Sequence, residues 1–484
     1  MLTLNRPDLL ATASYINGQW LKDDANTVAV TNPANGELVA NIANHGAAET
    51  RAAIDAAEAA MPKWAAKPAK ERANILRTWF NLIMANQQDL AKILTAEQGK
   101  TLSESAGEIA YGANYIEWFA EQAKRIDGDI IPAPSADKRI MVIKQPVGVV
   151  GSITPWNFPN AMITRKAAPA LAAGCTFVGK PATETPLSAL ALCVLAEEAG
   201  IPPGVFNMVV GQSSREIGGE LTSNPKVRKL TFTGSTPVGK VLMEQCAATV
   251  KKTSMELGGN APFMVFEDAD LDAAIQGALA SKYRNSGQTC VCSNRILVQD
   301  SVYDEFVAKL QAEVSQFKLG NGAEAETTHG PMVNAKAVKD VEQMVNEAID
   351  KGAVATVGGK PSDLGACFFE PTILTNATPD MRVFSEEIFG PVAPVFRFST
   401  EEEALQLAND TEFGLAAYFY TKDLGRIFRV GEGLEFGIIG INEGIISNEM
   451  APFGGVKESG SGREGSKYGM DDYLEIKYMC IGGI

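Results

Sequence analysis

Between residues 147 and 257, short apolar runs alternate with helical segments. "VGVVGSIT" leads to "NAMITRKAAPALAAG", and the same exchange continues through "CTFVGK", "LSALALCVLAEEAG", "GVFNMVVG", "REIGGELTS", "VRKLTFTG", "PVGKVLMEQCAATV" and "KKTSMEL". An apolar run of this length must be covered on both faces, and the helical segment after it returns the chain. Repeated units of this kind specify a parallel, doubly wound α/β sheet. Such sheets bind ligands beyond the carboxyl ends of their strands.

The flanks differ. Residues 48 to 126 carry apolar positions at three-and-four spacing on Ala-rich frames, which predicts three helices, the second over 69–94. Residues 127 to 146 alternate as an exposed ribbon. From 258 to 457 the α/β alternation resumes as a second domain, and "DYLEIKYMCIGGI" is an apolar strand expected to pair with another subunit. A chain of 484 residues has room for about three domains.

Lys plus Arg number 43 against 58 Asp plus Glu, a net charge of −15, with no basic block to neutralise phosphates. Nucleic-acid binding is excluded on that ground. The first residues lack a charged segment followed by an apolar one, and no long uncharged apolar run occurs. A soluble, cytoplasmic protein without membrane contact is expected.

"NSGQTCVCSN", residues 285–294, sets two of the seven cysteines one residue apart. A structural zinc site wants paired Cys or His ligands, and no second pair follows, so no metal is expected. Cys290 and Cys292 remain as nucleophile or redox partner. A free thiol with pKa ~8.5 is only a few per cent ionised at neutral pH, so a nucleophile needs a base. His45 and His329 stand in unremarkable contexts, so a carboxylate must serve.

In "SMELGGN", Glu256 closes a predicted strand between Met255 and Leu257, where a raised pKa would suit a base; a solvated strand-end carboxylate is the plainer alternative. In "TPWNFPNAMITRK", Asn157 sits in a loop stiffened by Pro155 and Pro159, as an oxyanion donor or as a turn-stabilising amide. "KLTFTGSTPVGK" runs strand, Gly234, Ser235, helix, with Thr236 as expected cap; it suits a pyrophosphate or is an ordinary capped turn. "GSGREG", 460–465, has the dinucleotide spacing without a strand before it, and reads as a flexible loop.

"PWNFP", "GKP", "FTGST", "ELGG", "GQTC", "EEIFGP" and "PFGG" follow one another from 155 to 455 in an order and spacing that resemble the aldehyde dehydrogenase superfamily. The resemblance implies a coenzyme-binding domain (1–126 and 147–257) with a turn from Gly234 to Gly239, a catalytic domain (258–457), and bridging, oligomerising elements (127–146 and 458–484). It implies Cys290 as nucleophile, Glu256 as general base, and Asn157 with the Cys290 N–H as oxyanion donors. Trp156, Lys180, Thr183, Gly234 and Ser235 would hold the cofactor, with Glu387 and Phe389 at the nicotinamide ribose. No metal is implied. A non-catalytic protein on the same fold would lack the nucleophile or the base, and both are present.

Arg165 and Arg284 lie near the chemical motifs and could hold a carboxylate at the far end of an aldehyde, or could make ordinary salt bridges. "RNSGQTCVCSN", "GIISNE" and "GREGSKYGMDDYLEIKYMC" resemble the branch that oxidises succinate semialdehyde in 4-aminobutyrate breakdown. There Arg165, Arg284 and Ser447 match the carboxylate-binding positions. Glutarate semialdehyde, or a broader range of aldehydes, is the alternative. Relatives preferring NAD carry Glu three residues after the lysine of "GKP"; here Thr183 stands there, so NADP is expected first and NAD second. The resemblance also implies a homo-oligomer, a dimer of dimers, and Cys292 as a reversible redox partner of Cys290.

Overall fold

The computed structural model describes residues 2–484. Its eight-stranded sheet has a parallel core of Val149–Ile153, Thr176–Lys180, Phe206–Met208, Val227–Thr233 and Lys252–Glu256. Numbered along the chain, these five stand in the order 3-2-1-4-5. The order reverses between Val149–Ile153 and Val227–Thr233, so the connections leave in opposite directions and open a crevice beyond those strand ends.

Both edges of this sheet are closed by antiparallel strands. Ser14–Ile16 and Gln19–Leu21 form a hairpin on one side. On the other, Gly460–Ser461 pairs with Met255 and Glu256. The "GSGREG" stretch is therefore not a flexible loop: a Cβ on Gly460 would lie 1.8 Å from the Met255 carbonyl oxygen, so its first glycine serves a close backbone approach.

The expected three helices are four: Ala47–Ala65, Ala69–Ala85, Gln87–Gln98 and Leu102–Gln122. The break falls at Asn86, whose amide donates to the Leu82 carbonyl at 2.8 Å and so competes with the helical ladder. Helix Ala161–Ala173 is buried on every face, which its run of alanines permits. It packs on Leu102–Gln122 and carries Arg165 and Lys166 into the interior.

A second, seven-stranded sheet runs in the order 354–357, 372–375, 392–398, 293–299, 261–265, 416–420, 438–441, parallel except for its first strand. Cys290 and Cys292 lie just before the strand Ser293–Gln299. The third sheet joins Leu474–Gly482 to Lys138–Pro146 and Asp129–Ile131. It leaves Ile130, Ile476 and Tyr478 exposed, and the free edge of Leu474–Gly482 has no strand partner among the described residues. No helix among the described residues is long and apolar enough to cross a membrane.

Candidate active site

Two chambers meet at Cys290. The first, about 310 Å³, lies at the switch point and is lined by Trp156, Asn157, Gly234, Ser235, Glu387 and Phe389. The second, about 290 Å³, is lined by Phe158, Arg165, Arg284, Ile445, Ser447 and Phe453. Cys290 and Met162 belong to both walls. Of the proposed catalytic, cofactor and substrate residues, Glu256, Lys180, Thr183 and Cys292 lie outside the two linings.

The glycines of "ELGG" explain how the strand end reaches the thiol. A Cβ on Gly259 would stand 2.2 Å from the Cys290 carbonyl oxygen, and one on Gly258 would stand 2.9 Å from Glu387 Oε2. Side chains at either position would push the two sheets apart. The cysteine loop is pinned on its other flank by Tyr418, whose hydroxyl donates to the Val291 carbonyl at 2.7 Å.

Burial, followed by the nearby negative charge of Glu387, pushes the Cys290 thiol up to about 12. The thiol therefore rests protonated and needs a base. Glu256 is buried, and neither of its carboxylate oxygens has a hydrogen-bond partner. Burial, then the like charge of Glu464, holds its carboxyl well above the usual range. Burial works the same way on Glu464, but the cations of Lys166 and Arg165 prevail and keep it ionised. Two buried carboxyls thus have opposite protonation tendencies, a difference set by their cationic neighbours.

Asn157 Nδ2, on the wall of the first chamber, donates to the Gln288 carbonyl at 3.1 Å, which leaves its second amide hydrogen without a protein partner among the described residues. Its backbone carbonyl accepts from Lys100 Nζ at 2.7 Å and Asn285 Nδ2 at 3.0 Å. Asn285 and Ser286 hold left-handed φ values of 52° and 53°, and Asn285 is fixed there by Glu104, which accepts its N–H at 2.7 Å. A strained turn of this kind persists only when its surroundings determine it.

The two arginines are not equivalent. Arg165 Nη1 donates to the Tyr111 hydroxyl at 3.2 Å, and its Nη2 is 2.7 Å from Glu464 Oε2, an ion pair too bent for a good hydrogen bond. Arg284 stacks on the Phe158 ring at 5.5 Å, and its Nε is buried without a partner. Sequence reasoning missed Lys100, Tyr111, Lys166, Asn285 and Glu464. They reach the site from two helices, the turn before one of them, the cysteine loop and the stretch after the last sheet edge, and no local pattern marks them.

Cys290 and Cys292 are both free thiols. The Cys292 N–H donates to the Thr289 carbonyl at 3.1 Å, so the chain bends at Cys290 and Val291. Cys292 is buried, with Sγ directed at the Lys282 carbonyl at 3.2 Å.

The first chamber suits a dinucleotide. Ser235, at the N-cap of helix Thr236–Ala247, makes no capping bond, and Thr236 is the first helical residue rather than the cap expected from sequence. Its hydroxyl instead donates to the Glu458 carbonyl at 3.2 Å, so the helix start stays open to an anion. Lys180 is buried, with its ammonium lowered by that burial, and its side-chain partner is Thr183 Oγ1 at 3.4 Å. A buried cation whose one side-chain hydrogen bond is to a hydroxyl, with the Glu184 charge nearby, fits a ribose or phosphate. Phe389 holds a left-handed φ of 52°, rare for a bulky residue, and sets its ring edge-on to Trp156 at 5.6 Å.

Comparison with known proteins agrees with this geometry. The model of the aldehyde dehydrogenase family matches residues 20–479. The chain is 62% identical to succinate-semialdehyde dehydrogenase [NADP(+)] of Escherichia coli K12 over 99% of this chain and 100% of that one. It is 61% identical to glutarate-semialdehyde dehydrogenase of Pseudomonas aeruginosa over the full length of both. A crystal structure of an NADP-dependent enzyme of E. coli superposes with a TM-score of 0.98 at 61% identity, over 99% of this chain and 100% of that one. With a thiol set between a nucleotide crevice and a second chamber, and with these likenesses running end to end, the chain belongs to the aldehyde dehydrogenase family.

Proposed function

We propose that the protein oxidises succinate semialdehyde to succinate with NADP, and less readily with NAD. The observation that carries this reading is Arg284, a half-buried guanidinium whose Nε is buried without a hydrogen-bond partner and which forms no ion pair among the described residues, in the same chamber as Cys290. A buried donor left unpaired is costly, and a substrate carboxylate would complete it. Arg165 and Ser447 line the same chamber and would share that carboxylate.

Glu256, once ionised, takes a proton so that the Cys290 thiolate attacks the aldehyde carbon. Asn157 and the Cys290 N–H stabilise the resulting alkoxide. Trp156, Lys180, Thr183, Gly234, Ser235, Glu387 and Phe389 would hold the nicotinamide cofactor, which would supply the hydride acceptor. Glu256 then activates the water that releases the acid from the Cys290 thioester. In this reading residues 1–126 with 147–257 serve the coenzyme, and 258–457 carry the nucleophile. Residues 127–146 with 458–484 join subunits into a cytoplasmic tetramer through the exposed outer strand.

Glutarate semialdehyde is the second reading. It is favoured by the 61% identity to an enzyme of that name, and one methylene discriminates by only ~1–3 kcal/mol. Reduced-nicotinamide absorbance with succinate semialdehyde, glutarate semialdehyde and propanal, each with NADP and NAD, tests both readings. Fast NADP-dependent turnover confined to the acidic aldehydes is expected. Equal turnover of propanal would remove the substrate assignment.

A further inference from the structure

We propose that Lys100, paired with Glu108, is a positioning residue that aims the Asn157 amide at the developing oxyanion. The inference rests on reading Asn157 as an oxyanion donor. Lys100 Nζ lies 2.7 Å from Glu108 Oε2 and 2.7 Å from the Asn157 carbonyl oxygen, with the Phe158 ring 3.9 Å away. Both charged side chains are 1% exposed. The other Glu108 oxygen accepts the N–H groups of Asn160 at 2.9 Å and Ala161 at 3.2 Å.

One ion pair therefore grips both ends of the segment 157–161. Lysine holds the carbonyl at its start, and glutamate holds the amides that open helix Ala161–Ala173. Every one of these hydrogen bonds to the segment is to backbone. What they fix is the peptide plane from which the Asn157 side chain projects, and with it the direction of the free amide hydrogen.

A buried ion pair adds little net stability, because desolvation offsets its attraction. Preorganisation gives the pair a use. A donor a fraction of an ångström out of place would leave the alkoxide partly unpaired in a dry site, where each donor counts most. Lys100 also lines the chamber beside Arg165 and Arg284, so it could instead hold the substrate carboxylate. The two roles separate by substrate.

The test is the double variant Lys100→Met/Glu108→Gln, which removes both charges together and strands neither. Four rates are compared with the parent. Hydrolysis of p-nitrophenyl acetate develops an oxyanion without cofactor or carboxylate; oxidation of propanal and of succinate semialdehyde develops one with cofactor; alkylation of Cys290 by iodoacetamide develops none. The expectation is a common ~10- to 100-fold fall in kcat for the ester and both aldehydes, with alkylation within about two-fold and partial recovery in Lys100→Arg.

Unchanged ester and aldehyde rates, alkylation that falls as far as hydrolysis, or a loss confined to succinate semialdehyde would each overturn the inference. Asn157→Ala is measured in parallel. If that variant keeps its ester hydrolysis, the donor reading falls and takes this inference with it. If it loses hydrolysis while the Lys100 variant does not, only the role of Lys100 is removed.

Discussion

Arg165 Nη2 stands 2.7 Å from Glu464 Oε2, whereas Arg284, on the wall of the same chamber, forms no ion pair among the described residues. One guanidinium is already committed and the other is open. Arg284→Ala should therefore raise KM for succinate semialdehyde ~10- to 100-fold, the worth of a charge-assisted hydrogen bond, and leave propanal nearly unchanged. Steady-state kinetics on both substrates check this. An equal effect on propanal would mean that Arg284 shapes the loop and not the specificity.

The raised Glu256 carboxyl makes turnover depend on pH. A base must be ionised to act, so kcat should climb with pH along a limb lying above the ordinary carboxylate value of ~4.3, and Glu256→Gln should abolish both limb and turnover. Stability moves the other way. Because the folded state holds this proton more tightly than the unfolded chain, ionising Glu256 costs stability as pH rises through the folded value. Glu256→Gln should thus gain Tm relative to the parent as pH increases, and a constant Tm difference would contradict that linkage.

In the proposed reading Thr183 sets cofactor choice by leaving uncharged the position that accepts from Lys180. Thr183→Glu should raise KM for NADP ~10- to 100-fold by placing a carboxylate beside the 2′-phosphate, while KM for NAD changes by less than about three-fold. Titrating both cofactors against a fixed aldehyde tests it. A matched rise for both would show that the substitution only damages the turn.

Cys292 is free, buried and two residues from the nucleophile. A hydroperoxide would oxidise Cys290 to the sulfenic acid and be reduced to the alcohol; the Cys292 thiol would then attack that sulfur and displace water to form a disulfide, which dithiothreitol reverses. Cys292→Ala should keep most of its turnover but lose this reversibility, ending in permanent inactivation by peroxide. Identical recovery in both proteins would exclude the pairing.

Gly460→Ala should lower stability by about 1–3 kcal/mol. Its φ of 127° and the Met255 carbonyl at 1.8 Å from a would-be Cβ both oppose a side chain. Because Gly460 pairs with Glu256, the loss should be accompanied by reduced kcat. A thermal melt beside the kinetics measures both effects.

The parallel sheet, the second α/β unit and the terminal strand were legible because each rests on a local period or on a run of apolar residues. Cys290, Glu256 and Asn157, proposed as nucleophile, base and amide donor, were singled out through short motifs whose order, and not whose individual chemistry, carried the information. Glu464 was hidden: it acts on Lys166 from 298 residues away, inside a glycine-rich stretch whose spacing imitated a phosphate loop. The hairpin around Asn17 and Gly18, with φ of 54° and 73°, does carry the Asn-Gly turn signature, so its absence from the sequence reading reflects an overlooked signal and not a silent one. Lys100 gave no signal, since a lysine at a helix boundary is ordinarily solvated.

The segment 460–482 covers the sheet edge at Glu256, delivers Glu464 to the Arg165 and Lys166 cations, and then forms the outer strand. It is also translated after every other part of the site. On the ribosome, Cys290 emerges long before the carboxylate that tunes its base, so a nascent chain carries its thiol without the electrostatics that arm it. The surroundings of Glu256 are complete only once this late segment has been added and folded back.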